Sequence, residues 1–141
     1  MVSGGALLTQ LLNGLTVGMV YVLLAAGLSI IFGVMDVINF AHGEFYALGA
    51  YFAVSIVGVL GGAGVGFWVA LVAAPVIVGV VGGFVERITI RPLYGRNPLY
   101  HILLTFGLVL VFADLIELAW GTQPQAFGVP PSLAGTIGVA G

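Results

Sequence analysis

The sequence contains no cysteine and no lysine, and it carries few charges of either sign. Without cysteine, the chain can form no disulfide, thiolate metal site or cysteine nucleophile. Without lysine, it has no Walker A loop, because the lysine of that loop contacts the nucleotide phosphates. If ATP drives this protein, another subunit must bind it. The three arginines all lie between residues 87 and 96, so the chain lacks the basic surface that nucleic acids require.

Charged residues make up only 6% of the 141 residues, whereas hydrophobic residues make up 61%. Soluble domains average about 25% charged residues, so this chain cannot cover a surface that faces water. Residues 45–85 carry no charge, and this run is about twice the ~20 residues that cross a hydrocarbon core. The composition therefore predicts an all-α, polytopic membrane helix bundle.

Apolar segments predict about four transmembrane helices, over residues 6–32, 39–60, 67–85 and 100–120, with a turn at residues 61–66. The N-terminal residues lack the Lys or Arg of a signal peptide, so the first segment is expected to be a permanent span. Residues 86–98 form the only basic loop, which the positive-inside rule places in the cytoplasm. Trp68 and Trp120 would then lie at the outer interface, and the uncharged residues after Trp120 would form an external loop.

A polar cluster within residues 33–44 interrupts the apolar pattern, with Asp36, Asn39, His42 and Glu44. If the second span began after Glu44, residues 45–60 would measure only about 24 Å as a helix. Starting it near Asn39 instead draws the cluster into the bilayer, or makes the segment unwound or re-entrant along a wet pathway. The open alternative is an interfacial loop on the cytoplasmic side whose polar side chains face water.

Small residues recur at four-residue spacing in two of the predicted helices. Gly14 and Gly18 lie in the first, and Gly79 and Gly83 lie in the third. Such spacing allows a second helix to approach closely in lipid, so these glycines are predicted helix-packing residues. Pro75 lies in the middle of the third span and is expected to kink it.

Two further pairs of residues could carry chemistry, and one other group of residues fits no known site. Asp114 and Glu117 could form a proton or cation site, or could reach water outside the membrane. His42 and His101 could pair as axial haem ligands, although His101 fits an interfacial residue better. The spacing of Asp36, His42 and Glu44 matches no familiar metal site. The sequence thus predicts no metal, no cofactor and no catalytic residue.

Two segments resemble a known family. Residues 27–51 read GLSIIFGVMDVINFAHGEFYALGAY and include the specific string Asn-Phe-Ala-His-Gly-Glu. Residues 86–96 read ERITIRPLYGR, which is similar to a recurring Glu-Arg-x-x-x-Arg-Pro-Leu segment. In both segments and in their spacing, the chain resembles the permeases of branched-chain amino-acid ABC transporters, of the LivH type.

The resemblance implies a binding-protein-dependent importer of the bacterial inner membrane. Its partners would be a second permease subunit, cytoplasmic ATPase subunits that hydrolyse the ATP, and a periplasmic substrate-binding protein. The candidates for the substrate pathway are Asp36, Asn39, His42, Gly43 and Glu44, of which the last four belong to the family's signature. The candidates for a cytoplasmic loop that faces the ATPases are Glu86, Arg87, Arg91, Pro92 and Arg96.

Members of this family are longer than the present chain, and their segment for ATPase coupling lies in the second half. Residues 1–141 are therefore expected to be a single transmembrane permease domain that forms an N-terminal half. Two other functions stay open from the residues alone. One is an ion- or proton-coupled secondary transporter or small channel that uses Asp36, Glu44, Asp114 and Glu117. The other is a membrane scaffold without transport activity.

Overall fold

The computed structural model describes residues 4–62, 64–126 and 128–135. Within these residues the chain forms four long helices, α1 (Gly4–Met35), α2 (His42–Val59), α3 (Val65–Val85) and α4 (Pro98–Trp120). The prediction of an all-α helix bundle of a polytopic membrane protein is confirmed. Ala63 of the predicted turn and Phe127 of the predicted external loop lie outside the described residues, as do residues 1–3 and 136–141.

Three helical segments among the described residues are long and apolar enough to cross a membrane: Gly4–Met35, Val65–Leu93 and Pro98–Trp120. α2 is not one of them, because the polar His42 and Glu44 in its first turn make its 18 residues less apolar than the other three segments. Its length is about 27 Å at the rise of an α-helix. α2 nevertheless contacts α1, α3 and α4, so it lies at the centre of the bundle.

Aromatic side chains hold α2 against α4. The ring of Phe45 lies 4.9 Å from that of Phe112, and the ring of Tyr51 lies 5.3 Å from that of Trp120. Buried Leu48 belongs to the same hydrophobic cluster as Phe112. Because residues later in α2 contact residues later in α4, these two helices run in the same direction.

α3 runs antiparallel to α2 and packs through small residues. Gly66, Ala70 and Ala74 recur at four-residue spacing and are all buried. A Cβ atom at Gly66 would stand 3.1 Å from the Cα atom of Val57, so only glycine allows the two backbones to approach this closely. Near the other end of α3, Gly82 lies beside Phe45. The hydrophobic effect contributes little to helix association in lipid, so this close packing is a main source of stability.

The glycines that were predicted to pack helices do not lie at the contact between α2 and α3. A Cβ atom at Gly14, Gly18, Gly79 or Gly83 would have no described atom within 4 Å. The face of α3 that packs on α2 instead includes the buried Gly66, Ala70 and Ala74. A role for the four selected glycines stays a prediction about helices outside the described residues.

The predicted basic loop over residues 86–98 is wrong in its first eight residues. α3 continues as a π-helical turn, Glu86–Ile90, and then a 3-10 turn, Arg91–Leu93. Burial of Ile90 keeps this segment against the bundle, and Pro92 lies at the start of a helical turn, where its missing N–H is tolerated. The loop therefore covers only residues 94–97.

α4 begins with a side-chain cap. The Asn97 side-chain oxygen accepts a hydrogen bond from the Leu99 N–H at 3.0 Å, and Pro98 is the first helical residue. Both features favour helix initiation, because the first N–H groups of a helix lack partners within it. The cap fixes the point at which the chain re-enters the bundle.

Candidate functional site

The polar interruption of the sequence forms a short connection between α1 and α2, which we call the Asp36–Ala41 connection. α1 ends at Met35, and Asp36 adopts the left-handed conformation with φ 52°. Asp tolerates this conformation better than most residues. The connection contains no α-helix, so α2 begins only at His42.

Asn39 shapes the start of α2. Its side-chain oxygen accepts a hydrogen bond from the backbone N–H of Ala41 at 3.0 Å, and its backbone oxygen accepts one from the N–H of His42 at 3.3 Å. Asn is favoured in such turns because its side chain replaces a backbone acceptor two residues away. The amide of Asn39 therefore fixes where His42 enters the helix.

Every second residue of the connection is buried in protein, the setting in which irregular backbone is tolerated in a membrane protein. Val37 is 2% exposed, Ala41 is fully buried and Asn39 is 8% exposed. The carbonyl of Ile38 accepts a hydrogen bond at 3.3 Å from the hydroxyl of Thr105, a fully buried residue of α4. The connection is thereby attached to a helix more than 60 residues away in sequence.

A cavity of about 260 Å³ lies where the connection meets α1, α2 and the end of α3. Its polar lining comes from Asn39, His42 and Glu86, and the remaining lining is mostly apolar. The structure thus brings together residues from the two segments that carried the family resemblance. An apolar cavity with a few convergent polar groups is the usual form of a solute-binding site.

Three sequence-predicted pathway residues do not line this cavity. Asp36 and Gly43 are exposed. Glu44 lies on a different side of α2, where it lines a cleft of about 380 Å³ together with Glu117. Asp114 is also exposed on α4. The four carboxylates considered for ion coupling are therefore not gathered at one site.

The basic segment lies at the same end of the bundle as the Asp36–Ala41 connection. Arg87, Arg91, Pro92 and Arg96 are all exposed there, while Glu86 reaches into the cavity. One oxygen of Glu86 accepts a hydrogen bond from the hydroxyl of Tyr94 at 2.7 Å. Burial, together with this hydrogen bond, raises the pKa of Tyr94 to about 12. The neutral phenol that donates to Glu86 is thus the favoured form.

The structural role of His101 and Thr105 was not predicted from the sequence, which favoured an interfacial position for His101. His101 is only 4% exposed, and its ring stacks on that of Tyr94 at 6.4 Å. The Thr105 hydroxyl shares its single proton between the carbonyl of His101 at 2.8 Å and the more distant carbonyl of Ile38 at 3.3 Å. Polar residues four apart lie on one face of a helix, so this spacing was the available signal that the first turns of α4 face the connection.

Residues 10–140 match the family described as branched-chain amino acid transport system, permease component. The chain is 35% identical to the high-affinity branched-chain amino acid transport system permease protein BraD of Pseudomonas aeruginosa, over 92% of this chain and 43% of the relative. It is 33% identical to the corresponding permease protein LivH of Escherichia coli K12, over 89% of this chain and 42% of the relative. The chain therefore spans less than half the length of these curated relatives. No solved structure matches the chain.

Proposed function

The chain belongs to the branched-chain amino acid transport system permease family, and on that premise we propose that it forms part of the solute pathway of an ABC importer for branched-chain amino acids. The importer works in the bacterial inner membrane. Solute passes between the helices, and the cavity lined by Asn39, His42 and Glu86 forms part of its route. The observation that carries this proposal is the convergence of the two resembling segments on that one cavity.

The proposal assigns ATP hydrolysis to partner subunits, since a permease component is not itself catalytic. The chain has no lysine for a Walker A loop. The exposed Arg87, Arg91 and Arg96 lie together on the end of the bundle that carries the cavity, and we assign that surface to the cytoplasmic ATPases. A second permease subunit completes the pathway, and a periplasmic binding protein delivers the solute.

Uptake of radiolabelled leucine by cells that express the complete permease with its partner subunits tests the proposal. His42→Ala and Asn39→Ala should each lower uptake about tenfold, the effect of losing roughly 1.4 kcal/mol of interaction. Asn13→Ala is the matched control, because Asn13 is exposed on α1 and lies 18 residues before Ile31, the first α1 residue that lines the cavity. Unchanged uptake in both cavity variants, at equal membrane levels, would remove the cavity from the pathway.

The energy source separates this function from the secondary transporter that the sequence left open. An ABC importer continues after an uncoupler collapses the proton gradient, provided that ATP is maintained, and it stops when ATP is depleted. Uptake with the opposite dependence would contradict the importer. The similarity to transport-system permeases supports the importer over that alternative.

Association with the ATPases tests the assignment of the basic surface. Arg91→Glu reverses one exposed charge and should reduce the amount of ATPase that copurifies with the permease. Asp114→Asn changes one exposed charge on α4 outside that surface and should leave copurification unchanged. Equal copurification in both variants would place the ATPase contact outside the surface formed by the three arginines.

A further inference from the structure

The residues that follow α4 turn back and run beside α2, instead of extending away from the bundle at the end of α4. α4 ends at Trp120, whose indole N–H donates to the hydroxyl of Ser55 at 2.7 Å, and Gly121 then adopts a positive φ of 81°. Beyond that turn, the chain borders a cleft of about 320 Å³ against α2, lined by Ala47, Ala50, Tyr51, Val54, Pro124 and Gln125. The expected external loop is therefore folded onto the bundle in this part.

The position of Gln125 along α2 gives its depth. Ala50 lies nine residues before Val59, the last residue of α2, which is about 13 Å along the helix. Since α2 is about 27 Å long, a segment beside Ala50 lies near the middle of α2, away from either end of that helix. Gln125 and Ala126 also line the larger cleft of about 650 Å³ between α2 and α3.

The segment is polar in its backbone and uncharged in its side chains. Between Gly121, whose N–H donates to Glu117, and Leu133, whose N–H donates to Pro130, no hydrogen bond joins two backbone groups among the described residues. The amide of Gln125 donates to the carbonyls of Gln123 and Trp120 at 3.3 and 3.5 Å. Irregular backbone with free polar groups is tolerated at membrane depth only beside protein or water.

We propose that residues 121–126 form a re-entrant segment that lines the aqueous solute pathway, with Gln125 facing the cleft. The apolar wall of that cleft, contributed by small residues of α2 and α3 such as Ala53 and Ala74, accepts an aliphatic side chain. The free backbone amides and the Gln125 side chain provide polar contacts to the charged end of the solute. The inference deepens the proposed function and rests on it for the identity of the solute, an aliphatic amino acid.

Single cysteine substitutions in the complete permease test this inference, because residues 1–141 contain no thiol of their own. The variants are Gln125→Cys and, as a second position on the segment, Ala126→Cys. Each is treated in membrane vesicles with a charged, membrane-impermeant maleimide, and labelling is compared with that of the unsubstituted permease. Labelling after denaturation gives the total thiol, so a variant with reduced expression can still be scored.

The matched control is Leu118→Cys on α4. Leu118 is 83% exposed and lies two residues before Trp120, which contacts Tyr51, so it stands at a depth similar to that of Ala50. A thiol at this position should face lipid and resist the charged reagent. We expect at least one segment variant to be labelled in the folded permease, while Leu118→Cys stays unlabelled. L-leucine at about 1 mM, the upper end of typical KM values, should slow the labelling.

Three results would overturn the inference. Absence of labelling at both segment positions would mean that the segment does not face water. Labelling of Leu118→Cys to the same extent would place that level in bulk water, so that the segment would not be re-entrant. Labelling that L-leucine leaves unchanged, in a permease that transports leucine, would separate the segment from the solute pathway. If the permease fails to transport leucine at all, the proposed function fails while the labelling pattern still decides whether the segment is re-entrant.

Discussion

The imidazole of His42, at the start of α2, lies directly against Gly27 of α1. A Cβ atom at Gly27 would stand 3.1 Å from Nε2 and 3.2 Å from Cε1 of that ring, which is closer than an ordinary van der Waals contact. Glycine therefore allows α1 to pass beside the histidine that lines the cavity. Both residues belong to the segment that carries the family resemblance, so this contact gives a physical reason for a small residue there.

A larger residue at Gly27 should displace His42. We expect Gly27→Leu to lower leucine uptake by the complete permease and to cost about 1–3 kcal/mol of stability, as overpacking of a close contact does. Gly5→Leu is the control, because a Cβ atom at Gly5 would have no described atom within 4 Å. Uptake and detergent-solution melting temperature would be measured side by side.

The double variant Gly27→Leu with His42→Ala identifies the contact as the cause. If the leucine acts by displacing the ring, it should have little further effect once the ring has been removed. The two changes would then be non-additive, as expected for residues in contact. Additive losses of uptake would mean that Gly27 acts through something other than His42.

Thr105→Val should weaken the attachment of the Asp36–Ala41 connection to α4. The substitution keeps the shape of the side chain but removes the hydroxyl that donates to the carbonyls of His101 and Ile38. The expected loss is about 1 kcal/mol, because a hydrogen bond of a buried group is lost. A lower melting temperature of the purified permease would show it.

Thr9→Val provides the comparison for Thr105→Val. The Thr9 hydroxyl also donates to a carbonyl four residues earlier, that of Gly5, but Thr9 is exposed and its bond lies within α1 alone. We expect no change in melting temperature from this variant. Equal destabilisation by the two variants would assign the effect to the helix itself and not to the contact with the connection.

Tyr94 gives a prediction about pH. Its pKa is raised from 10.0 to about 12 in the folded protein, first by burial and then by the hydrogen bond to Glu86. Since the folded state keeps the phenol proton above pH 10 while the unfolded state loses it, the stability from this group is fully present below pH 10. It is lost as the pH rises from 10 to about 12.

The absorbance of tyrosinate near 295 nm measures this pKa as the difference between the native permease and Tyr94→Phe. Glu86→Gln should lower the pKa of Tyr94 without returning it to 10.0, because burial is the larger cause and remains. A difference titration centred near pH 10 in the native permease would contradict the hydrogen bond between Tyr94 and Glu86.

The sequence predicted the class of fold and the family because both depend on features that are local in the chain. Uncharged runs indicate membrane helices whatever their neighbours are. Which residues share a cavity depends instead on the way helices pack. Glu44 and His42 are two residues apart, yet they line different cavities because their side chains lie on different faces of α2. Glu86, selected for a cytoplasmic loop, joins His42 because burial of Ile90 prolongs α3.

The packing of small residues illustrates the same limit. The four-residue spacing of Gly79 and Gly83 is also present in Gly66, Ala70 and Ala74, and only the second set is buried, with Gly66 against Val57 of α2. The spacing alone indicates that another helix can pack on that face, but it does not identify the helix that does so. The turn of the chain after Trp120 could likewise not be predicted from the local sequence, because it depends on the long-range contact of Trp120 with α2.

The hydrogen bond between Trp120 and Ser55 should help to hold α4 to α2 at the end where residues 121–126 turn back. Its length is 2.7 Å, and the Trp120 ring also packs on Tyr51 and Phe52. Trp120→Phe and Ser55→Ala each remove one partner. We expect each to cost about 1 kcal/mol or more, with Trp120→Phe costing more because ring contacts are lost as well.

A double-mutant cycle separates the hydrogen bond from that ring packing. The stability of the wild-type permease, the two single variants and the double variant would be measured in the same detergent. If the bond is made, the double variant loses less than the sum of the single losses, and the difference should be about 0.6 kcal/mol, the average for such bonds in a membrane protein. Because Ser55 also donates to the carbonyl of Tyr51 within α2, Ser55→Ala alone overstates the contact. Strictly additive losses would mean that α4 is held here by aromatic packing alone.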